Sequence, residues 1–457
     1  MVSPIIFVSG IFFVFITYFI IYIRIYNKRK LQLIDWSILS LATFNGLGFT
    51  FVYWATNNGK NNPFWTQYIT MYDNYTATIY LLLCIILGLS YVFGWKIIKS
   101  IKRLPAKNEK TLKESFYLNA VIKTRLIAWV MLFLGIVSYA LYTKAYGGFL
   151  GILNYTIAIR SGTISIYNPL SFLQKLGYFP LFSSYLFFGQ IIEKTKAKTA
   201  NKRCFFGYII SFAFSIYVLY SMAGRVSMLV YFSTFILGYI LYNYNSFTKL
   251  VRKLVSLVII LPLGLFGIDS ILSRSSRGIG VIELFAKELS FPFASFIVQF
   301  GHKNYRLFKD IVVTPLFLLP QRVWYLILNI EVASSYNTFL FYGAIKGEAG
   351  VTGSIPVDML TFANMQASII GVIIVGFLWG GSLYLLEDYC MKIYPIGVRK
   401  VLYANMVFNV AILSVLYGDP QHIVIKNFSM IIGLTMLSII AKIKLPFKKN
   451  TKNWKIG

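Results

Sequence analysis

Thr76-Ala77-Thr78-Ile79-Tyr80-Leu81-Leu82-Leu83-Cys84-Ile85-Ile86-Leu87-Gly88-Leu89-Ser90-Tyr91-Val92-Phe93-Gly94-Trp95 contains no charged residue and leads directly into Lys96, Lys99, Lys102 and Arg103. At ~1.5 Å of rise per residue such a run makes a helix about 30 Å long, the thickness of a bilayer's hydrocarbon core. Similar apolar runs recur along the chain. They predict spans at 4–23, 36–56, 76–95, 126–146, 169–191, 205–222, 227–244, 254–271, 366–386, 401–417 and 423–441, about eleven in all. Composition agrees: 57% of the 457 residues are hydrophobic and 13% are charged, against the ~25% that a soluble surface needs. The expected fold is an all-α polytopic membrane protein.

The net charge of +29 does not indicate nucleic acid, because the cations lie in short blocks between apolar spans. Segments 24–35, 96–125, 193–203, 249–253, 387–400 and 442–457 hold 30 of the 44 Lys and Arg. The positive-inside bias places these blocks in the cytoplasm. The N-terminus is then outside and the C-terminus inside, with the first span a retained anchor, since its charges (Arg24, Lys28, Arg29 and Lys30) follow rather than precede it. Cys84, Cys204 and Cys390 are far apart and fit no metal spacing.

Three regions follow: spans one to eight over 1–271, a large extracytoplasmic loop over 272–365, and spans nine to eleven with a basic tail over 366–457. The loop is semi-polar. Segment 281–300 has apolar residues at helical spacing with a charged face, and segment 311–330 is interrupted by Pro315 and Pro320. Both are expected to be helices lying at the membrane surface, and a long loop with its own helices suggests a functional cap.

No Walker A loop, G-x-S-x-G or H-E-x-x-H occurs, and the only histidines are His302 and His422. The sequence therefore calls for no nucleotide, no metal and no cofactor. What stands out is positive charge on the outer side: Arg160, Arg225, Arg274, Arg277, Arg306 and Arg322. Arginine offers a planar fork of donors matched to phosphate oxygens. Arg225 sits in a tight turn between two spans, where a charge is costly. Arg160, Arg274 and Arg277 are candidate diphosphate ligands. A transfer to a hydroxyl also needs a base, and Glu348 in Lys346-Gly347-Glu348-Ala349-Gly350, or Asp358 a few residues on, is placed to supply one. His302 and His422 fit structural roles better, and the 33 tyrosines and 40 phenylalanines suit interfacial belts.

Three stretches carry a resemblance: Ser221-Met222-Ala223-Gly224-Arg225-Val226-Ser227; the loop from Tyr155 to Gly162; and Gly347-Glu348-Ala349-Gly350 through Pro356, Met359, Leu360 and Asn364 to Gly371 and Trp379-Gly380. In these, and in topology over nearly its whole length, the chain resembles the O-antigen or oligosaccharide repeat-unit polymerases (Wzy type) of bacterial surface-polysaccharide pathways. The resemblance implies a glycosyltransferase of the bacterial inner membrane. Its substrates would be undecaprenyl-diphosphate-linked oligosaccharides, with a chain-length regulator protein as a possible partner. Arg225, Glu348 and Asp358 would be catalytic, and Arg160, Arg274 and Arg277 would hold the diphosphate. Two rivals share features. An O-antigen ligase has similar architecture but expects a histidine beside an asparagine, whereas Lys303 separates His302 from Asn304. A lipid-linked oligosaccharide flippase would show more spans and core charges.

Overall fold

A computed structural model describes residues 4–28, 31–50, 73–102, 114–161, 166–193, 198–222, 224–243, 253, 281–302, 305–320, 323, 331–351 and 353–442. Among these residues there is no strand. The principal helices are α1 (Pro4–Lys28), α2 (Leu33–Leu41, continued by a π-helical turn Ala42–Leu47), α3 (Asn74–Ile101), α4 (Glu114–Thr143), α5 (Phe179–Ile192), α6 (Lys198–Ser221), α7 (Arg225–Asn243), α8 (Val281–Phe300), α9 (Ala333–Tyr342), α10 (Met359–Met391), α11 (Ile396–Met406, continued by a π-helical turn Val407–Ile412), α12 (Pro420–Lys426) and α13 (Phe428–Lys442).

Seven helices among the described residues are long and apolar enough to cross a bilayer, within α1, α3, α4, α6, α7, α10 and α11. An eighth span results if α12 and α13, bent by 62° at Asn427, count as one. The chain is thus an all-helical, multi-pass membrane protein. The sequence expectation at 254–271 lies outside the described residues. That at 169–191 becomes a helix only from Phe179, after a run of turns.

The acids of this sequence are spent largely on helix starts, where the first amides lack partners. Asp73 accepts from the Thr76 amide at 2.7 Å. Glu387 accepts from Leu33 N at 2.7 Å and so caps α2 from another helix. Glu193 does the same for α11, accepting from Ile396 N and Gly397 N at 3.1 and 2.7 Å. Arg24 pairs with Asp35 at 2.8 Å, and Lys102 with Asp388 at 3.3 Å. These contacts gather residues 31–35, 102, 193 and 392–397 at one end of the bundle, called here the basic end.

Toward the basic end α3 and α10 touch backbone to backbone. A Cβ on Gly94 would lie 2.0 Å from the Phe377 carbonyl oxygen, and one on Gly380 2.0 Å from that of Tyr91. Small residues permit such approach where no hydrophobic effect drives helix pairing.

Helix α8 corrects one expectation. Segment 281–300 is helical, but its second half does not lie at a surface, since residues 290–299 are buried. Phe293 packs edge-on against Phe49 and Tyr80, with centroids at 4.9 and 4.8 Å. Gly48 admits the α8 backbone so closely that a Cβ there would lie 2.0 Å from the Leu289 carbonyl oxygen. Two polar residues in that second half are satisfied by protein: Ser295 donates to the Pro356 carbonyl at 3.1 Å, and Gln299 to Asn337 Oδ1 at 3.2 Å. Segment 311–330 is described only in part, as a short helix Lys309–Val312 and a 3-10 turn Thr314–Leu318.

Candidate functional site

The end of the bundle opposite the basic end is built from segments 144–161, 166–178, 305–320, 331–351, 353–358 and 417–419, and these are laced together. The Lys175 ammonium donates to the carbonyls of Phe317 and Leu319 at 3.2 and 3.1 Å. Loss of hydration there holds its pKa below the ordinary lysine value. Asn168 donates to the Tyr142 carbonyl at 3.0 Å, and Gly418 N to Val357 O at 2.7 Å.

At the centre of this end α10 is broken. Ala367 (φ −163°, ψ 44°) and Ser368 (φ 53°, ψ −136°) leave helical geometry, which strands the last carbonyls of the segment 359–366. Two of them are met by another chain segment: Arg306 N donates to Met365 O at 2.9 Å and Leu307 N to Gln366 O at 3.0 Å. Leu307 and Phe308 adopt left-handed φ values of 49° and 62° to present those amides, a conformation that costs non-glycine residues energy.

Side chains lock the same junction. Arg306 grips Asp310 through two bonds, Nε to Oδ2 at 2.6 Å and Nη2 to Oδ1 at 2.8 Å. It also donates to the Glu331 carbonyl and lies over the Tyr336 ring at 5.6 Å. Gln366 donates to Asp310 Oδ2 at 3.2 Å, while its own Oε1 is buried with no hydrogen-bond partner. Asp310 is 1% exposed, so the pairing with Arg306 is what makes its charge tolerable. Nearby, Asp419 accepts from Ser334 N at 2.9 Å and from Ser334 Oγ, and caps α12 through Gln421 N at 2.8 Å.

The segment 344–351 forms a compact turn, closed by Gly347 N to Val351 O and Val351 N to Glu348 O, both at 2.8 Å. Gly347 and Gly350 supply positive φ (94° and 78°). The turn holds Glu348 out in the exposed layer. Lys346 precedes it. Lys346 is exposed at its surface, yet its surroundings desolvate the ammonium, and the charge of Arg160 adds to the effect. Both hold its pKa below the usual lysine value.

Of the residues singled out from sequence, Arg160 is linked to the Glu348 turn by its charge, which acts on Lys346, a residue that sequence reasoning passed over. Arg160 ends a short helix, Thr156–Ser161, and is exposed. Asp358 is elsewhere in character. It is fully buried, caps α10 by accepting from Leu360 N at 3.1 Å and Thr361 N at 3.3 Å, and accepts from Asn45 Nδ2 at 2.9 Å. Its place is the interior, away from the exposed turn. Arg225 opens α7, but its side chain lies outside the described residues, as do Arg274, Arg277 and Arg322 altogether. His302 is exposed, and the His422 ring packs on Tyr417 at 4.9 Å. No cluster of three metal-ligating side chains occurs among the described residues.

A cavity of about 200 Å³ lies between these parts, lined by Ile311, Thr314, Met359, Phe362, Trp379 and Pro420 among others. Comparison of the chain with protein-family models, with curated proteins and with solved structures finds no match.

Proposed function

We propose that the chain is a bacterial inner-membrane glycosyltransferase that joins undecaprenyl-diphosphate-linked oligosaccharide repeat units into a longer polymer at the outer face. The observation that carries this reading is the exposed Glu348 turn at the end of the bundle away from the basic blocks, preceded by Lys346, on whose ammonium the charge of Arg160 acts. Like charges repel, and an anionic ligand bound by both groups would relieve that repulsion. A lipid diphosphate is such a ligand, and arginine with lysine suits its oxygens.

In the proposed step an acceptor hydroxyl oxygen attacks the donor's anomeric carbon. A new glycosidic C–O bond forms as the bond from that carbon to the diphosphate oxygen breaks. The hydroxyl proton passes to Glu348, and the electron pair leaves with the lipid diphosphate, where Arg160 and Lys346 stabilise the growing charge. Arg225, Arg274 and Arg277 are the further basic groups of this reading, and a chain-length regulator would be its protein partner. Asp358, capped into the interior, positions the start of α10 rather than taking the proton. The outer-face location rests on the charge bias, with the N-terminus outside and the C-terminus cytoplasmic.

The test is genetic. The gene is deleted in its host, then restored as wild type or as Arg160→Ala with Lys346→Ala at matched membrane levels, and surface polysaccharide is separated on a gel. A polymerase leaves single repeat units on core in the deletion and in the double variant. Long polymer unattached to core would instead identify a ligase.

One observation favours a second reading, transport of the lipid-linked oligosaccharide. Broken helices such as α10 and the bent pair α12–α13 are a device by which transporters bind substrate. Loss of repeat units from the outer face in the deletion strain would support it over polymerisation.

A further inference from the structure

A groove of about 640 Å³ runs along the α3–α10 pair, on a different face of α10 from most of the lining of the smaller cavity, with which it shares Leu378. It follows from the packing. At Gly94 and Gly380 the two backbones are in contact, so the large side chains flanking that seam flare outward. Ile86, Leu89, Phe93 and Lys96 recur at helical spacing along one face of α3, and Ile374 and Phe377 face them from α10. The rings of Phe93 and Phe377 sit 6.0 Å apart toward the Lys96 end, and Leu89 and Phe93 are 65% and 60% exposed.

The groove is apolar apart from Ser90, whose hydroxyl is turned back to the Ile86 carbonyl at 2.8 Å, and one end, where Lys96 stands with no ion pair or hydrogen bond among the described residues. From Ile86 to Lys96 is ten helical residues, about 15 Å, which is half of a hydrocarbon core about 30 Å thick. Its length therefore matches one leaflet, with the ammonium at the headgroup level and Ile86 near the midplane.

We propose that this groove is a binding site for one anionic glycerophospholipid of the leaflet at the basic end. An acyl chain lies between α3 and α10, and the phosphate lies against Lys96. The charge is complementary. The stem of Lys96 continues the apolar wall while its head reaches the interface, and anionic headgroups are attracted to such a cation. The site is independent of any reaction at the other end of the bundle.

Native mass spectrometry of the full chain in mild detergent tests it, with phosphatidylglycerol and phosphatidylethanolamine added separately at equal concentration. The wild type should retain one phosphatidylglycerol in preference to phosphatidylethanolamine. Lys96→Gln should weaken that retention about fivefold, the worth of one lysine near an anionic surface. Leu89→Trp, at an exposed position that tolerates bulk, should abolish retention by filling the groove while leaving the thermal midpoint unchanged. Equal retention of both lipids by wild type, or undiminished phosphatidylglycerol in either variant, overturns the proposal.

Discussion

Gly371 faces the carbonyl oxygen of Ala363 so closely that a Cβ built on it would lie 2.2 Å away. In an unbroken helix residues eight apart are separated by about 12 Å along the axis. The contact therefore means that α10 folds back on itself at Ala367-Ser368, with Gly371 as the point where the two halves touch. Gly371→Ala should force the halves apart, lowering stability by about 1–3 kcal/mol as an overpacked contact does. Gly353→Ala, where a Cβ would meet nothing within 4 Å, should stay within about 0.5 kcal/mol of wild type. Thermal unfolding of both variants in the same detergent checks the contrast, and equal midpoints would remove Gly371 from the break.

The break itself could not be read from the sequence. Ala367 and Ser368 are not helix breakers, and the run 366–386 looks uninterrupted. What bends it is tertiary: amides from residues 306 and 307, sixty positions earlier, take the carbonyls of Met365 and Gln366. Seven of the expected membrane helices were legible because a run of about twenty apolar residues leaves few alternatives. The burial of α8 was not, since an amphipathic pattern says that one face is polar but not whether water or Asn337 satisfies it. Asp358 carried a signal that a search for a base overlooked. An Asp three residues before Thr361, ahead of an apolar run, is an N-cap pattern. The Arg160–Lys346 pair joins residues distant in the chain, and no local pattern announces it.

Arg306→Met should be among the most damaging single changes near the site. It leaves the Asp310 carboxylate buried without its cation, a loss of about 3–5 kcal/mol for a broken buried pair. Replacing both partners, Arg306→Met with Asp310→Leu, should recover most of that loss, because no charge remains buried. The readout is again the thermal midpoint. A double variant worse than the single one would show that Asp310 is held chiefly by Gln366 rather than by Arg306.

Lys346 gives the anion site a pH dependence with a definite sign. Its pKa is lowered in the folded protein by desolvation and by Arg160. As pH rises through that lowered value the ammonium is lost, so binding of an anionic ligand should weaken in the window below the ordinary lysine pKa. In the same window the unfolded chain still holds the proton that the folded chain has released, so stability should rise with pH. Arg160→Ala removes one of the two causes and should move the loss of binding to higher pH. Binding of inorganic pyrophosphate across that range measures it, and an unmoved profile would separate the two residues.

Glu348 and Asp358 should respond differently to loss of charge. Glu348→Gln removes the proposed base from an exposed turn and should cost polymerisation about 100-fold or more with no change in thermal midpoint. Asp358→Asn keeps an oxygen able to cap α10 and should retain polymer, whereas Asp358→Ala should cost about 1 kcal/mol of stability. Polymer length on a gel beside the melting curves separates the roles. A stable but inactive Asp358→Asn protein would move the base to Asp358.

Orientation follows from which end of the bundle each probe reaches. The native cysteines, Cys84, Cys204 and Cys390, are all buried, so they should give little background with a membrane-impermeant maleimide. Tyr167, 72% exposed, lies at the site end, and Lys392, its side chain 68% exposed, lies at the basic end beside Asp388. The charge bias places the basic end in the cytoplasm. Tyr167→Cys should then be labelled in intact cells whose outer barrier has been opened, and Lys392→Cys only after the inner membrane is disrupted. The reverse pattern would put the site end in the cytoplasm, where a transfer between lipid-linked units at the outer face could not occur, and the proposed reaction would fall with it.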